Sequence, residues 1–324
     1  MKKIISMLLC ALLCLSLTVP AAMAESKLKV VATTFPLYDW TRRVIGDNDG
    51  VELTMLLDSG VDLHSFNPTA ADIMRIATCD LFIYVGGESD EWVEDAEKQV
   101  INADMVSINL MEALGEAAKE EEAVEGMEEE EHEHEHAHED EEEEEVEYDE
   151  HIWLSVRNAA LFTQVIADAL AEKLPEKAES FQANAAAYIE KLNDLDARFT
   201  ELTANAACKT VLFGDRFPFR YFVDDYGLSY YAAFKGCSAE SEASFETVVF
   251  LAGKVDELGL PAVLTIEGTN HRIAETIVSS TKTKDQKILA VDSMQSVTAG
   301  DVKNGADYLA IMEKNLEVFR EALI

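Results

Sequence analysis

Six of the seven histidines in this 324-residue chain fall in two settings. Four alternate with acidic and small residues in EHEHEHAHEDEEEEE (131–145): His132, His134, His136 and His138. Two stand alone in polar stretches, His64 in GVDLHSFNP (60–68) and His151 in DEHIWLSVRNA (149–159). Imidazole nitrogen is a donor for borderline cations. Carboxylates that could share such an ion follow apolar runs further along: Asp215 in VLFGDRFPF, Glu267 in VLTIEG and Asp292 in ILAVD. A mixed nitrogen and oxygen set suits zinc or manganese, whereas an all-oxygen set would suit calcium or magnesium. Each carboxylate also has an ordinary reading: Asp292 could cap the turn after it, Glu267 could hold a backbone amide, and Asp215 could pair with Arg216 or Arg220.

The histidine run is a different kind of donor. A flexible chain of imidazoles and carboxylates binds metal ions, but ordering it costs entropy, so it acts as a weak collector beside a selective site. Only the neutral imidazole binds. Capture therefore fades in acid, and the surrounding carboxylates move that loss upward in pH.

The elements that must position these groups alternate in type. LKVVATT, VELTMLL, DLFIYVGG and MVSINL read as strands, separated by helices starting at Pro36, at Asn67-Pro68 and at DEWVEDAEKQVI. The rhythm returns after residue 208 with TVLFG, LSYYAAF, PAVLTIEG and KILAVD as strands, and with helices between them and from about 304 to 322. Strand–helix alternation predicts parallel sheets covered by helices, and thus an α/β protein of two Rossmann-like lobes. Between them, residues 176–205 carry Phe181, Ala185, Tyr188, Leu192, Leu195, Phe199 and Leu202 at three- and four-residue steps, with no internal Gly or Pro. This predicts one long stiff helix joining the lobes, on the order of 40 Å. Ligands of parallel sheets bind beyond the carboxyl ends of the strands, where His64, Asp215, Glu267 and Asp292 all lie.

Composition narrows the function. The net charge of −37 excludes nucleic acid as a partner. About a third of the acidic residues lie in 116–150, a segment too poor in large apolar side chains to fold on its own and read as a disordered loop. Residues 1–24 read as an export signal: Lys2 and Lys3, an apolar run from Ile4 to Val19, then Ala22-Met23-Ala24. Leucines precede Cys10 and Cys14, where a lipid-attachment motif wants a small residue, so a lipid anchor is not expected. The domains expected are 25–175 (first lobe), 176–205 (linking helix) and 206–324 (second lobe). Cys79, Cys208 and Cys237 allow one pair, for instance Cys208–Cys237, and their wide spacing predicts no cysteine metal site. No HExxH helix is present, and nothing pairs a catalytic base with the candidate ligands, so no enzyme is expected.

Several stretches together resemble the solute-binding proteins of bacterial zinc and manganese ABC importers, over nearly the whole chain after the signal. VVATTFPLYDW is similar to that family's first strand and helix. GVDLHSFNP resembles its Gly-x-Asp-Pro-His-x-Tyr-x-Pro motif, with Leu63 for Pro. DEHIWLSVRNA resembles Asp-Pro-His-x-Trp-Leu-Asp-Pro, with Glu150 for Pro and Ser155 for Asp. GCSAESEAS resembles Gly-x-Ser-x-Glu-x-Glu-Pro, and an acidic histidine loop before the second histidine is typical of the zinc-type members. The resemblance implies two α/β lobes joined by a long helix with one metal between them. It places ligands at His64, His151 and Asp292. Where the family has His or Glu after the first strand of the second lobe, Gly214 stands, with Asp215 adjacent as a replacement; Glu267 matches a glutamate with a structural role. The implied function is capture of zinc, with manganese as the alternative, by a monomer that delivers it to a membrane ABC permease. A metal buffer or adhesin-like protein that relies on the histidine loop is the competing reading.

Overall fold

The computed structural model describes residues 27–128, 147–238, 242–268 and 270–324. His132, His134, His136 and His138 lie outside the described residues, as does the expected signal segment.

The first half builds a four-stranded sheet from β1 (Leu28–Ala32), β2 (Val51–Met55), β3 (Leu81–Tyr84) and β4 (Val106–Asn109), in the order β2-β1-β3-β4. The second repeats it with β5 (Thr210–Phe217), β6 (Ser229–Lys235), β7 (Ala262–Ile266) and β8 (Lys287–Val291), in the order β6-β5-β7-β8. Every strand pair is parallel. The β-branched, doubly buried strands are those that parallel sheets require, since helices cover both faces. The first lobe's helices are α1 (Phe35–Ile45), α2 (Ala70–Ala77), α3 (Trp92–Glu97), α4 (Leu110–Leu114) and α5 (Val156–Lys173). The strut is α6 (Ala178–Ala204), followed by α7 (Arg220–Tyr226), α8 (Phe245–Leu258), α9 (Arg272–Ser280), α10 (Ala299–Lys303) and α11 (Tyr308–Leu323).

All seven apolar positions of the expected stripe on α6 are buried. The start of α2 differs from expectation. Thr69, not Asn67, caps it, because the Thr69 hydroxyl and the Asp72 carboxylate satisfy each other's backbone amides in a capping box.

The lobes do not have separate cores. One apolar cluster runs from Val30 and Phe82 in the first sheet through Phe162 and Leu192 to Phe213, Leu264 and Leu316 in the second lobe. A smaller cluster containing Leu212, Val255 and Ile277 lies under α8 and α9. Polar bonds reinforce the joint. The Tyr308 hydroxyl donates to the Trp153 carbonyl (2.7 Å), the Trp153 indole to the Ser293 carbonyl (2.9 Å), and the Tyr308 amide to buried Asp39 (3.0 Å). Each would leave a buried polar group unpaired if the lobes parted, which opposes wide hinge opening.

Residues 116–128 and 147–150 differ from the disordered loop expected there. They form a strap across the second lobe. Lys119 pairs with Asp224, Arg220 with Glu122 (3.2 Å) and Lys235 with Glu121 (3.5 Å). The Glu128 amide donates to the Ala233 carbonyl (3.0 Å), and Met127 is buried. Composition misleads here because the apolar surface and countercharges that order the strap come from the other lobe.

Candidate metal site

His64 sits in a short 3-10 turn (Leu63–Ser65) beyond β2. The turn is pinned by Asp62, whose carboxylate accepts from the His64 amide at 3.1 Å and ion-pairs across the lobes with Arg216 at 3.0 Å. His151 precedes a second such turn (Ile152–Leu154) that leads into α5, where Ser155 serves as N-cap by accepting from the Asn158 amide. Ser155 thus satisfies one of the free amides at the start of the helix. The His151 ring is fully buried, with Trp153 on one side at 5.2 Å between centroids.

The two imidazoles meet with their Nε2 atoms 3.2 Å apart. Their other nitrogens are held. His151 Nδ1 lies 3.1 Å from Asp149 Oδ1, which also accepts from the His151 amide at 2.8 Å. His64 Nδ1 lies 2.7 Å from the Ser89 hydroxyl and 3.4 Å from Glu150 Oε2. Burial alone would raise the Glu150 carboxyl, but bonds from His64 and Ser89 outweigh it and keep it below the usual range, hence ionised. The Asp149 carboxylate can only accept, so His151 Nδ1 carries a proton and its Nε2 is turned toward His64 Nε2. Two ring nitrogens this close can share one cation, a proton or a metal ion, between them. Orientation of each ring by a carboxylate is the usual outer support of a metal-bound histidine. Burial on its own would lower the His151 pKa; Asp149 reverses this and raises it.

The third donor near this pair is one that sequence reasoning missed. Cys237, just beyond β6, places its sulfur so that the three ligand atoms of His64, His151 and Cys237 lie within 4.8 Å of one another, the one such group among the described residues. Spacing could not reveal it, because no second cysteine or nearby histidine accompanies it in the chain. The thiol's pKa is raised by burial and by Glu121, Asp149 and Glu150. Cys79, Cys208 and Cys237 are all free thiols, so the disulfide considered between Cys208 and Cys237 does not form.

The approach of Cys237 depends on Gly236. A Cβ there would lie 2.9 Å from His151 Cε1 and 3.0 Å from the Phe217 carbonyl oxygen. Gly236→Ala is expected to push the His151 ring or the end of β6 aside and weaken metal binding about 10–100-fold, the range for loss of a site's outer support. Metal titration against a competing chelator checks this; unchanged affinity would mean the neighbouring backbone yields freely.

The carboxylates expected from the second lobe do not join this group. Asp215 Oδ1 accepts from the Arg216 amide (2.9 Å) and Oδ2 from the Ile266 amide (3.2 Å), tying β5 to β7. Glu267 accepts from the amides of Ser293 (2.6 Å) and Gln295 (3.1 Å) and so organises the turn after β8. Asp292 accepts from the Met294 amide (2.8 Å), which is the turn-capping alternative, and burial together with Glu267 pushes its pKa up to about 6. Gly214 is also explained. A Cβ there would fall 2.6 Å from Ala274 Cα, because α9 packs directly on β5 at its register shift. His64 and Cys237 open onto a cavity of about 510 Å³ rimmed by Glu88, Glu91, Glu121, Glu147 and Glu150. Such a mouth concentrates cations.

Two parallel α/β lobes on a long helix, with two imidazoles meeting beyond the first lobe's elements, make an α/β two-lobe protein with a candidate metal site. The chain belongs to the family described as zinc-uptake complex component A, periplasmic, which it matches over residues 30–322. It is 31% identical over 304 residues to the zinc-binding protein AdcA of Streptococcus pyogenes, covering 92% of this chain and 56% of that one. It is 30% identical over 298 residues to the high-affinity zinc uptake system protein ZnuA of Bacillus subtilis, covering 92% and 88%. The chain thus spans about half the length of the AdcA relatives. Among solved structures it is similar to the Zn(II)-bound ZnuA-like domain of Streptococcus pneumoniae AdcA, with a TM-score of 0.70, 27% identity, and 92% and 99% coverage. No helix of the described residues is long and apolar enough to cross a membrane.

Proposed function

We propose that this chain captures zinc outside the cytoplasm and delivers it to a membrane ABC permease, acting by binding rather than catalysis. The observation that carries the reading is the pair of Nε2 atoms at 3.2 Å with both Nδ1 atoms held. Tetrahedral zinc with Zn–N bonds of about 2.0–2.1 Å sets nitrogen pairs roughly 3.3 Å apart, so the pair is preorganised. Relatives named for zinc binding and zinc uptake support the choice of cargo. The continuous core favours loading with little hinge motion. The histidine run serves as the accessory that raises the local zinc concentration. An extracytoplasmic position follows from the signal-like residues 1–24. One relative, from Streptococcus pneumoniae, is called a zinc-binding lipoprotein, which keeps membrane attachment of this chain open to direct mass measurement.

The test is calorimetry on the chain with 129–146 replaced by a Gly/Ser linker of equal length. This leaves the strap and Asp149 in place. One tight equivalent is expected, lost on His64→Ala. If tight binding goes with the histidine run instead, the chain is a metal buffer. Affinity should also fall with pH. The protonated imidazole cannot bind, and His151 has a raised pKa, so loss begins above pH 6.5 and deepens as pH falls. Affinity that is flat down to pH 5 would contradict this.

A further inference from the structure

We propose that Cys237 is the second lobe's metal ligand, giving a site of two nitrogens and one sulfur whose cargo is the class of thiolate-binding divalent cations. Zinc and cadmium belong to that class; manganese, magnesium and calcium do not. The inference rests on the capture reading above and extends it to the donor set and to selectivity.

Five observations carry it. The sulfur is the only third donor among the described residues whose ligand atom lies within 4.8 Å of both histidine nitrogens. Asp215 and Glu267 are bound to backbone amides of their own lobe, and Asp292, which holds the Met294 amide through Oδ1, does not fall within this group. Gly214 cannot be exchanged for a ligand, because α9 fills the space beside it. The position of Cys237 is also built. Its amide donates to Glu121 Oε1 at 3.3 Å, and Gly236 brings the backbone against the His151 ring. Cys237 has no disulfide partner and lines the acidic cavity through which an ion must arrive.

Coordination exchanges the thiol proton for the ion. The S–H bond breaks, a sulfur–metal bond forms, and the proton leaves to solvent, with no change of oxidation state. A sulfur donor at about 2.3 Å is favourable for zinc and better still for softer ions, while manganese and the hard cations prefer oxygen. The cavity leaves the fourth position to water or a rim carboxylate.

The test is titration of the full chain, held reduced by a non-chelating phosphine, with Co²⁺ as a spectroscopic probe and with Zn²⁺, Cd²⁺ and Mn²⁺ in competition. Expected is an intense near-ultraviolet thiolate-to-cobalt band that saturates at one equivalent and is absent in Cys237→Ser. In that variant Cd²⁺ affinity should fall most, Zn²⁺ affinity at least about 10–100-fold, and Mn²⁺ affinity little. Cobalt bound in a His64-dependent manner without the thiolate band, or equal losses for all three ions, would overturn the sulfur assignment and leave zinc capture standing. Unchanged binding in His64→Ala would overturn the capture reading, and the donor assignment with it. A thiolate band that persists in Cys237→Ser would place the sulfur elsewhere and also overturn the proposal.

Discussion

Zinc titrated into the His151→Ala chain is expected to find no tight equivalent, only weak sites that a Gly/Ser replacement of 129–146 removes. His151 is fully buried, and Asp149 holds its ring with Nε2 toward His64. Structural zinc sites with four ligands bind with about 10–16 kcal/mol, so one ligand accounts for about 3–4 kcal/mol, roughly 10²–10³-fold in affinity. Removing the ring also takes from the buried Asp149 carboxylate its imidazole partner and leaves it the residue-151 amide, so stability should fall as well. His64→Ala separates the two effects. Its side chain is 13% exposed, and Ser89 and Glu150 can re-pair with each other and with water. Thermal unfolding should therefore change little in His64→Ala while tight binding is still lost. Tight binding retained in both variants would remove the histidine pair from the site.

The second large effect concerns Gly214, where the resemblance implied a ligand. Gly214→His, which would put an imidazole directly after the buried stretch of β5, is expected to lower stability by about 3 kcal/mol and to add no zinc affinity. Any side chain at 214 must enter the space held by Ala274, whose Cα would lie 2.6 Å, and Cβ 2.8 Å, from the new Cβ. Both are parts of α9 that cannot rotate away, so the helix itself must shift off β5. Denaturant unfolding and zinc competition measured on the same variant check both parts. A gain in affinity at unchanged stability would show that α9 moves easily and that position 214 remains a latent ligand site.

Much of this protein was legible in the chain because its signals are local. Alternation of β-branched runs with helical stripes specified two parallel α/β lobes, and the spacing from Phe181 to Leu202 specified the strut, since burial of one helix face depends only on periodicity. His64 and His151 were legible for a similar reason: each sits in a short polar stretch just outside an element, and its supporting Asp62 or Asp149 is two residues away. The second lobe's contribution was not. Cys237 is 86 residues beyond His151 by the numbering, and nothing in GCSAESEAS distinguishes a ligand from a buried thiol. Asp215, Glu267 and Asp292 had the right type and the right place at strand ends, yet each holds a backbone amide whose position depends on how β7, β8 and the following turns pack, and none falls within the group formed by the two histidines. The strap at 116–128 has the composition of a solvated loop and is ordered by Asp224, Arg220 and Lys235 of the other lobe. Sequence alone determined the elements and the first lobe's donors, because those follow from periodicity and near-neighbour bonds. Tertiary structure alone decided which second-lobe atom faces them, because that depends on how closely α9 and β6 approach, and two glycines, Gly214 and Gly236, set that approach through the side chains they lack.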